Sequence, residues 1–458
     1  MKAAEITSEK EIRKRIYGMI LPITLESILQ MSSGFVTMAM IGRIDTLSVA
    51  AVGLSSRITQ IIWALFRGVT TGATVLAAKA YGANDQGKLK KIAQQTLLAS
   101  MILVALFQQL IFWRAPGLLR IFGDNQVLLE NSAYHLRLVS WGLPFLAISL
   151  VVTGVLQGMG NAKTPMQISL IMNGVNIVLS YLFIFGKLGI PAMGLGGAAI
   201  ATALSQVAAG LMGLYVFFNR NGLLAHQKMK QFFKLNLSEV VRIFKLGMPT
   251  SMESVFWQIS AIILTKIILT FGEVALAAYQ LGFQAESISY MPAMGFGVAA
   301  TAFVGQALGA EERPLALRYL KEIGKGVLSV TLFSASLLIF YPKGVMRLLT
   351  DQHQAIEIGA LYLLCMGLVQ IPQNLSGVLN GALRGEGFTN VPMQVAGVGI
   401  WCIRIPLAFV ATQILGFGVA AIWVAMAIDL SIRFFMSSYL FKKHASFFPG
   451  REVTDQGE

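Results

Sequence analysis

The stretch LPITLESILQ, residues 21–30, sets Glu26 in the middle of an apolar run, and LGMPTSMESV, residues 246–255, does the same with Glu253. In each, a proline stands four residues ahead of the glutamate and a serine follows it: Pro22, Glu26, Ser27 and Pro249, Glu253, Ser254. A charged side chain at the centre of a membrane helix costs about 3 kcal/mol on insertion scales, so one that is kept has either a neutralising partner or a task. Gln30 lies one turn beyond Glu26, on the same face. Glu286, within QLGFQAESISYMP, is a third deep acid, and Asn173 and Asn176 share another apolar run. Cations occupy such runs too: Arg57, Arg67, Lys266 and Arg404, with Asp429 and Arg433 spaced i,i+4 as a structural pair. On one reading each acid neutralises one of these cations and holds helices together. On the other, Glu26, Glu253 and Glu286 bind a coupling ion or a substrate.

Other chemistries find less support. GANDQGKL (82–89) completes G-x-x-x-x-G-K, but Leu89 stands where a phosphate loop needs a hydroxyl, and no strand precedes it. GLGGAA, GFGVAA at 295–300 and GFGVAA at 416–421 fit G-x-G-x-x-A, yet three copies in apolar helices cannot each open a dinucleotide fold. Close helix packing is their better role. The histidines 135, 226, 353 and 444 form no H-E-x-x-H, and Cys365 and Cys402 lie inside apolar spans as packing residues, so neither a metal site nor a disulfide framework is expected. Neither an enzyme nor a cofactor is implied.

The elements that carry these side chains are membrane helices. Of 458 residues, 55% are hydrophobic and 13% charged, half the charge of a soluble chain, which runs about 25%. Apolar stretches near the ~20 residues needed to span recur along the chain. They predict spans at 16–41, 47–78, 92–112, 131–158, 166–186, 194–218, 243–270, 275–306, 322–341, 357–383, 392–414 and 418–441. The expected fold class is therefore all-α integral membrane, with about twelve transmembrane helices. The net charge of +14 sits mostly in alternate loops, including Lys228, Lys230 and Lys234. That bias places both termini in the cytoplasm and removes any need for nucleic acid.

The proline–glutamate echo belongs to a whole-length repeat. Pro22 and Pro249 are 227 residues apart (249 − 22), and Gly82 with Gly309, Pro165 with Pro392, Arg120 with Arg347 and Asp124 with Asp351 keep that step. Six spans per half make two pseudosymmetric six-helix lobes: 1–218 and 243–441, joined by a cytoplasmic linker at 219–242 and followed by a tail at 442–458. Parallel repeats of this kind are the usual build of an alternating-access carrier, with a single-chain channel as the alternative. Arg384 and Gln157 fall in equivalent loops, with Gly158 and Gly385 expected to shape the turns.

IGRIDTLSVAAVGL, LQGMGNAKTP, LRGEGFTNVP and YLFIFGKLGIPAMGLGGAAIAT resemble multidrug and toxic compound extrusion (MATE) transporters over nearly the whole chain. The resemblance implies export of small organic, often cationic, compounds in exchange for Na⁺ or H⁺, by a monomer in a bacterial inner membrane. The chain departs from the family at its acidic positions, where Thr37, Ser180, Trp257 and Gln373 stand instead. Asn176 and Thr202 match positions that line the family's N-terminal cavity. With those acids absent, the candidate binding set is Glu26, Gln30, Asn176, Thr202, Glu253 and Glu286. The alternative is a flippase for lipid-linked precursors, whose cavity arginines would meet a phosphate; Arg57, Arg67 and Arg404 keep it open.

Overall fold

The structure is a computed structural model that describes residues 8–122, 125–225 and 232–447. Asp124, His226, Lys228 and Lys230 lie outside the described residues. The described residues are helical throughout, with short turns and no strand. In chain order the helices are α1 (Glu9–Gly42), α2 (Thr46–Gly82), α3 (Gln86–Leu119), α4 (Gln126–Ser140), α5 (Leu143–Gly158), α6 (Lys163–Phe185) and α7 (Gly194–Phe218). Then follow α8 (Leu237–Leu269), α9 (Glu273–Gly309), α10 (Arg313–Phe340), α11 (Pro342–Arg347), α12 (His353–Glu386), α13 (Asn390–Ile414) and α14 (Ala420–His444). Eleven of these are long and apolar enough to cross a membrane, and α4 with α5, bent by 54°, make a twelfth span. The bend falls where Gly142 and Pro144 interrupt the run, since proline supplies no backbone donor to the turn before it.

Packing divides the chain into two compact units. One comprises Pro22–Ala77 and Asp85–Ser251; the other comprises Met1–Leu21, Ala78–Asn84 and Met252–Glu458. Helices α1 and α8 pass from one unit to the other beside their internal prolines, Pro22 and Pro249. In the first unit, Ile58, Ile62 and Phe66 of α2 pack with Val104 and Ile111 of α3 and with Leu136 and Leu143. In the second, Trp423 is fully buried, stacked on Tyr279 at 5.4 Å and edge-on to Tyr362 at 5.1 Å.

The repeat is visible in hydrogen bonds. Thr74 Oγ1 donates to Gly154 O at 2.9 Å, and 227 residues later Thr301 Oγ1 donates to Gly381 O at 2.9 Å. Each threonine also bonds back to a carbonyl on its own helix, Thr70 O or Gly297 O. Gly160 (φ 83°) and Gly387 (φ 107°) take the left-handed conformation at matching turns. The turn role thus falls two residues later than the sequence suggests, because Gly158 and Gly385 still lie within α5 and α12. Arg384 and Gln157 are helical too, not loop residues.

The phosphate-loop-like GANDQGKL is a helix-capping turn. Asn84 has φ 58°, and Asp85 accepts from Lys88 N at 2.8 Å. Gly197, in GLGGAA, lies where a Cβ would come within 2.6 Å of the Phe183 backbone, so α6 and α7 cross closely there. Cys402 is exposed and Cys365 half-buried, so the packing role expected of both fits Cys365 alone.

Candidate functional site

The structure brings the deep polar side chains together in two groups, one in each unit. The first begins on α1. Glu26, Gln30, Ser33 and Thr37 follow each other at steps of four, three and four, so they form a polar stripe along one helix face. At its end Thr37 Oγ1 donates to Asn176 Oδ1 at 2.9 Å, with Ser33 Oγ 3.5 Å from the same atom. Asn176 Nδ2 in turn donates to Thr202 Oγ1 at 3.3 Å, and Thr202 passes its proton to Ala198 O at 3.0 Å. The Ser180 hydroxyl, one turn from Asn176 on α6, is buried without a partner among the described residues. This cluster is built wholly from neutral donors and acceptors. Asn173, in contrast, bonds to Ser169 of its own helix.

Glu26 has no hydrogen bond or ion pair among the described residues, and it is only partly buried. Gln30 is exposed and equally unpartnered among them. Glu253, at the equivalent step of the repeat, differs. Arg384, in the last turn of α12, donates to its Oε2 at 2.5 Å, and both side chains are mostly buried. The counter-ion is therefore none of Arg57, Arg67, Lys266 or Arg404, the deep cations picked out in the sequence. Arg57, Arg67 and Lys266 are exposed and have no ion pair among the described residues.

The second group surrounds Asp429, which is fully buried. Arg433 donates to both its oxygens at 2.7 Å, and Arg404 donates to Oδ2 at 2.7 Å. The two guanidinium carbons sit 4.7 Å and 4.9 Å from the centre of the Trp257 ring, whose negative π-face spreads their charge. A local device makes room for this ion cluster. Helix α13 widens into π-helical turns at Gly399–Arg404, and a Cβ at Gly399 would come within 2.2 Å of Arg433 Nε and 2.3 Å of Asp429 Oδ1. Only glycine lets the pair sit against that turn.

Glu286 belongs to a separate network in the same unit. Tyr362 donates its hydroxyl proton to Oε2, and Gln370 Nε2 donates to Oε1 at 3.2 Å. Gln370 Oε1 accepts from Ser289 at 2.9 Å and from Asn374 at 3.3 Å, and Asn374 also donates to Thr331 at 2.9 Å. Asn374 Oδ1 and Gln373 Oε1 remain buried and unbonded among the described residues, two spare acceptors in the network of this carboxylate. Among the described residues no cluster of His, Cys, Asp and Glu is set to hold a metal.

Spacing along the chain could locate Asp429–Arg433 and the α1 stripe. It held no signal for Arg384 or Tyr362, because partners 131 and 76 residues away meet only through helix packing.

The pattern that defines the MatE family matches residues 22–182 and, a second time, residues 249–410. The chain belongs to the MATE family. Like other MATE proteins it is a multi-pass membrane transporter and not an enzyme, and the two matches are the two halves of the internal repeat. A probable multidrug resistance protein NorM of Thermotoga maritima is 32% identical over 434 residues, which is 92% of this chain and 90% of that one. The uncharacterized transporter YisQ of Bacillus subtilis is 24% identical, covering 91% of each chain. Among solved structures, a MATE protein in complex with MaL6 aligns with a TM-score of 0.87 at 20% identity over 94% of this chain and 96% of that one. An outward-facing multidrug resistance MATE transporter of the MOP superfamily gives 0.86 at 20% identity over 94% and 95%. At this identity the likeness is one of fold.

Proposed function

We propose that this MATE protein is a secondary antiporter, exporting drug-like organic compounds by alternating access in exchange for H⁺ or Na⁺. The compound class rests on the multidrug resistance relatives, led by the NorM protein of Thermotoga maritima. The observation that carries the coupling is Glu26. Of the acids deep in the described spans, Glu253 is held by Arg384, Asp429 by two arginines and Glu286 by Tyr362 and Gln370. Glu26 alone has no partner among the described residues. A deep carboxyl without a counter-ion favours taking up a proton or a small cation. From it the stripe of Gln30, Ser33 and Thr37 supplies oxygen ligands toward Asn176 and Thr202, a neutral cluster suited to orienting a ligand. Gln30, Asn176 and Thr202 are the binding residues of this reading, with Glu253 and Glu286 fixing the other unit.

The protein works as a monomer in the bacterial inner membrane, with both termini in the cytoplasm. The positive loops support that orientation. Uphill export draws on the gradient: one pH unit is worth about 1.4 kcal/mol per proton, and 100 mV about 2.3 kcal/mol per charge.

The test is efflux from proteoliposomes with pH and Na⁺ gradients imposed separately. One gradient drives export in the native protein, and Glu26→Gln abolishes that drive while leaving folding intact. Gradient-driven export that persists unchanged in Glu26→Gln would refute the assignment of coupling to this residue.

A further inference from the structure

Helix α2 carries two arginines that the coupling scheme leaves unused. Arg57, Gln60 and Arg67 are exposed, and none has a side-chain hydrogen bond or ion pair among the described residues. At about 100° per residue, Arg57, Gln60, Arg67 and Thr71 fall within a sector of about 80° on that helix. Thr71 completes the polar sector near its Gly82 end. Arg67 stands roughly 32 Å from the Thr46 end and roughly 22 Å from the Gly82 end, at 1.5 Å per residue. It therefore lies in the interior of the helix and not in a terminal turn. A guanidinium at such a position is costly to expose to lipid. Arginines in membrane helices as a rule face the bundle interior or a water-filled surface, and exposure without a protein partner favours the water-filled surface.

The charge of that surface has a definite sign. Both arginines lie in the unit that also holds Glu26, the one deep acid there without a partner among the described residues. In this unit two unpartnered cations thus stand against one unpartnered carboxyl, and the carboxyl loses its charge whenever it holds its ion. The neutral Asn176–Thr202–Thr37 cluster adds no negative charge. A permanently cationic compound would meet two uncompensated positive charges.

We infer that the exported compound carries an acidic group, a carboxylate or phosphate, received by Arg57 and Arg67 on this face of α2. The inference rests on the exporter reading and narrows its substrate, against the cationic preference that the resemblance implies. Guanidinium suits such groups because its fork of donors matches a pair of carboxylate or phosphate oxygens. The acid and the coupling ion then occupy different side chains, so exchange runs through the two states of the transporter rather than through competition for one carboxyl. An acidic group reaches this face either on a soluble compound or on a lipid headgroup, and the same chemistry receives both.

The test uses the full chain in proteoliposomes with two probes that share a fluorophore, dansylglycine (carboxylate) and dansylcadaverine (amine). A third arm follows transfer of fluorescent phosphatidic acid between leaflets. Dansylglycine is expected to be exported in preference to dansylcadaverine. Arg67→Gln should raise its apparent KM on the order of tenfold or more, the loss of one charge-assisted hydrogen bond. Arg57→Gln should act in the same direction, and neither variant should lower the melting temperature, since neither arginine holds a partner. Movement of phosphatidic acid alone, lost in Arg67→Gln, would support the acidic group and place it on a lipid. Preferred export of dansylcadaverine, unaltered in both variants, would overturn the inference and leave the exporter standing. No movement of any probe under either gradient would overturn both.

Discussion

Glu253 and Glu26 occupy the same step of the repeat, but their glutamine variants should behave in opposite ways. Arg384 and Glu253 are 2.5 Å apart, with side-chain exposures of 19% and 17%. Glu253→Gln leaves the guanidinium largely buried without its anion. Removing one partner of a fully buried pair costs about 3–5 kcal/mol, because the remaining charge stays desolvated. The residual exposure lets water reach Arg384, so the expected loss is about 2–3 kcal/mol. At roughly 2–4 °C per kcal/mol for units of this size, the melting temperature should fall by about 5–10 °C. Adding Arg384→Gln to Glu253→Gln removes the stranded charge and should recover most of that loss, a coupling of about 1–3 kcal/mol. Glu26→Gln, with no partner to strand, should melt like the native protein or above it. The assay is thermal unfolding of the purified protein in detergent, run on the two single variants, Arg384→Gln and the double variant. The reasoning fails if Glu253→Gln melts like the native protein, or if the double variant is no more stable than Glu253→Gln.

Two further outcomes test the scaffold. Gly399→Ala places a methyl within 2.3 Å of Asp429 and Arg433, so yield and melting temperature should drop sharply, whereas Gly397→Ala, whose nearest neighbour is Phe256 at 3.4 Å, should be tolerated; equal stability of the two would remove the claim that Gly399 makes room for the ion cluster. Thr74→Val and Thr301→Val each delete a bond between helices and should each cost about 1 kcal/mol; thermal melts showing a large loss in one and none in the other would break the equivalence of the two positions.

Apolar run length located every span, including the bent one over 131–158, because the demand for about 20 apolar residues acts on the sequence directly. The repeat was legible for the same reason: Thr74 and Thr301, or Gly160 and Gly387, keep their step since each solves an identical local packing problem. The i,i+4 pair Asp429–Arg433 was legible because a helix brings such residues together without help. Arg404 completes that site from a different helix, and nothing in its own neighbourhood in the chain points to Asp429. Arg384 has the sequence setting of a loop cation, because nothing local marks α12 as continuing through it. Cross-helix partners depend on crossing angles, which pattern alone does not encode.

Backbone and charge follow different symmetries in this chain. The Thr74 hydrogen bond that ties α2 to α5 recurs from Thr301 between α9 and α12 at the same length, so this contact of the scaffold is duplicated. The ion pair of Glu253 is not duplicated. Glu253 is neutralised by Arg384, while the residue 227 positions before Arg384 is Gln157, and Glu26 has no counter-ion among the described residues. Trp257, whose ring two arginines approach, corresponds to Gln30, one turn from Glu26. A duplicated frame gives both halves the same fold, and a single neutral residue in place of an arginine is enough to make one glutamate structural and the other available. Ion coupling confined to one half needs only that much asymmetry, and Gln157→Arg, which restores the missing cation, is the substitution through which it would be lost.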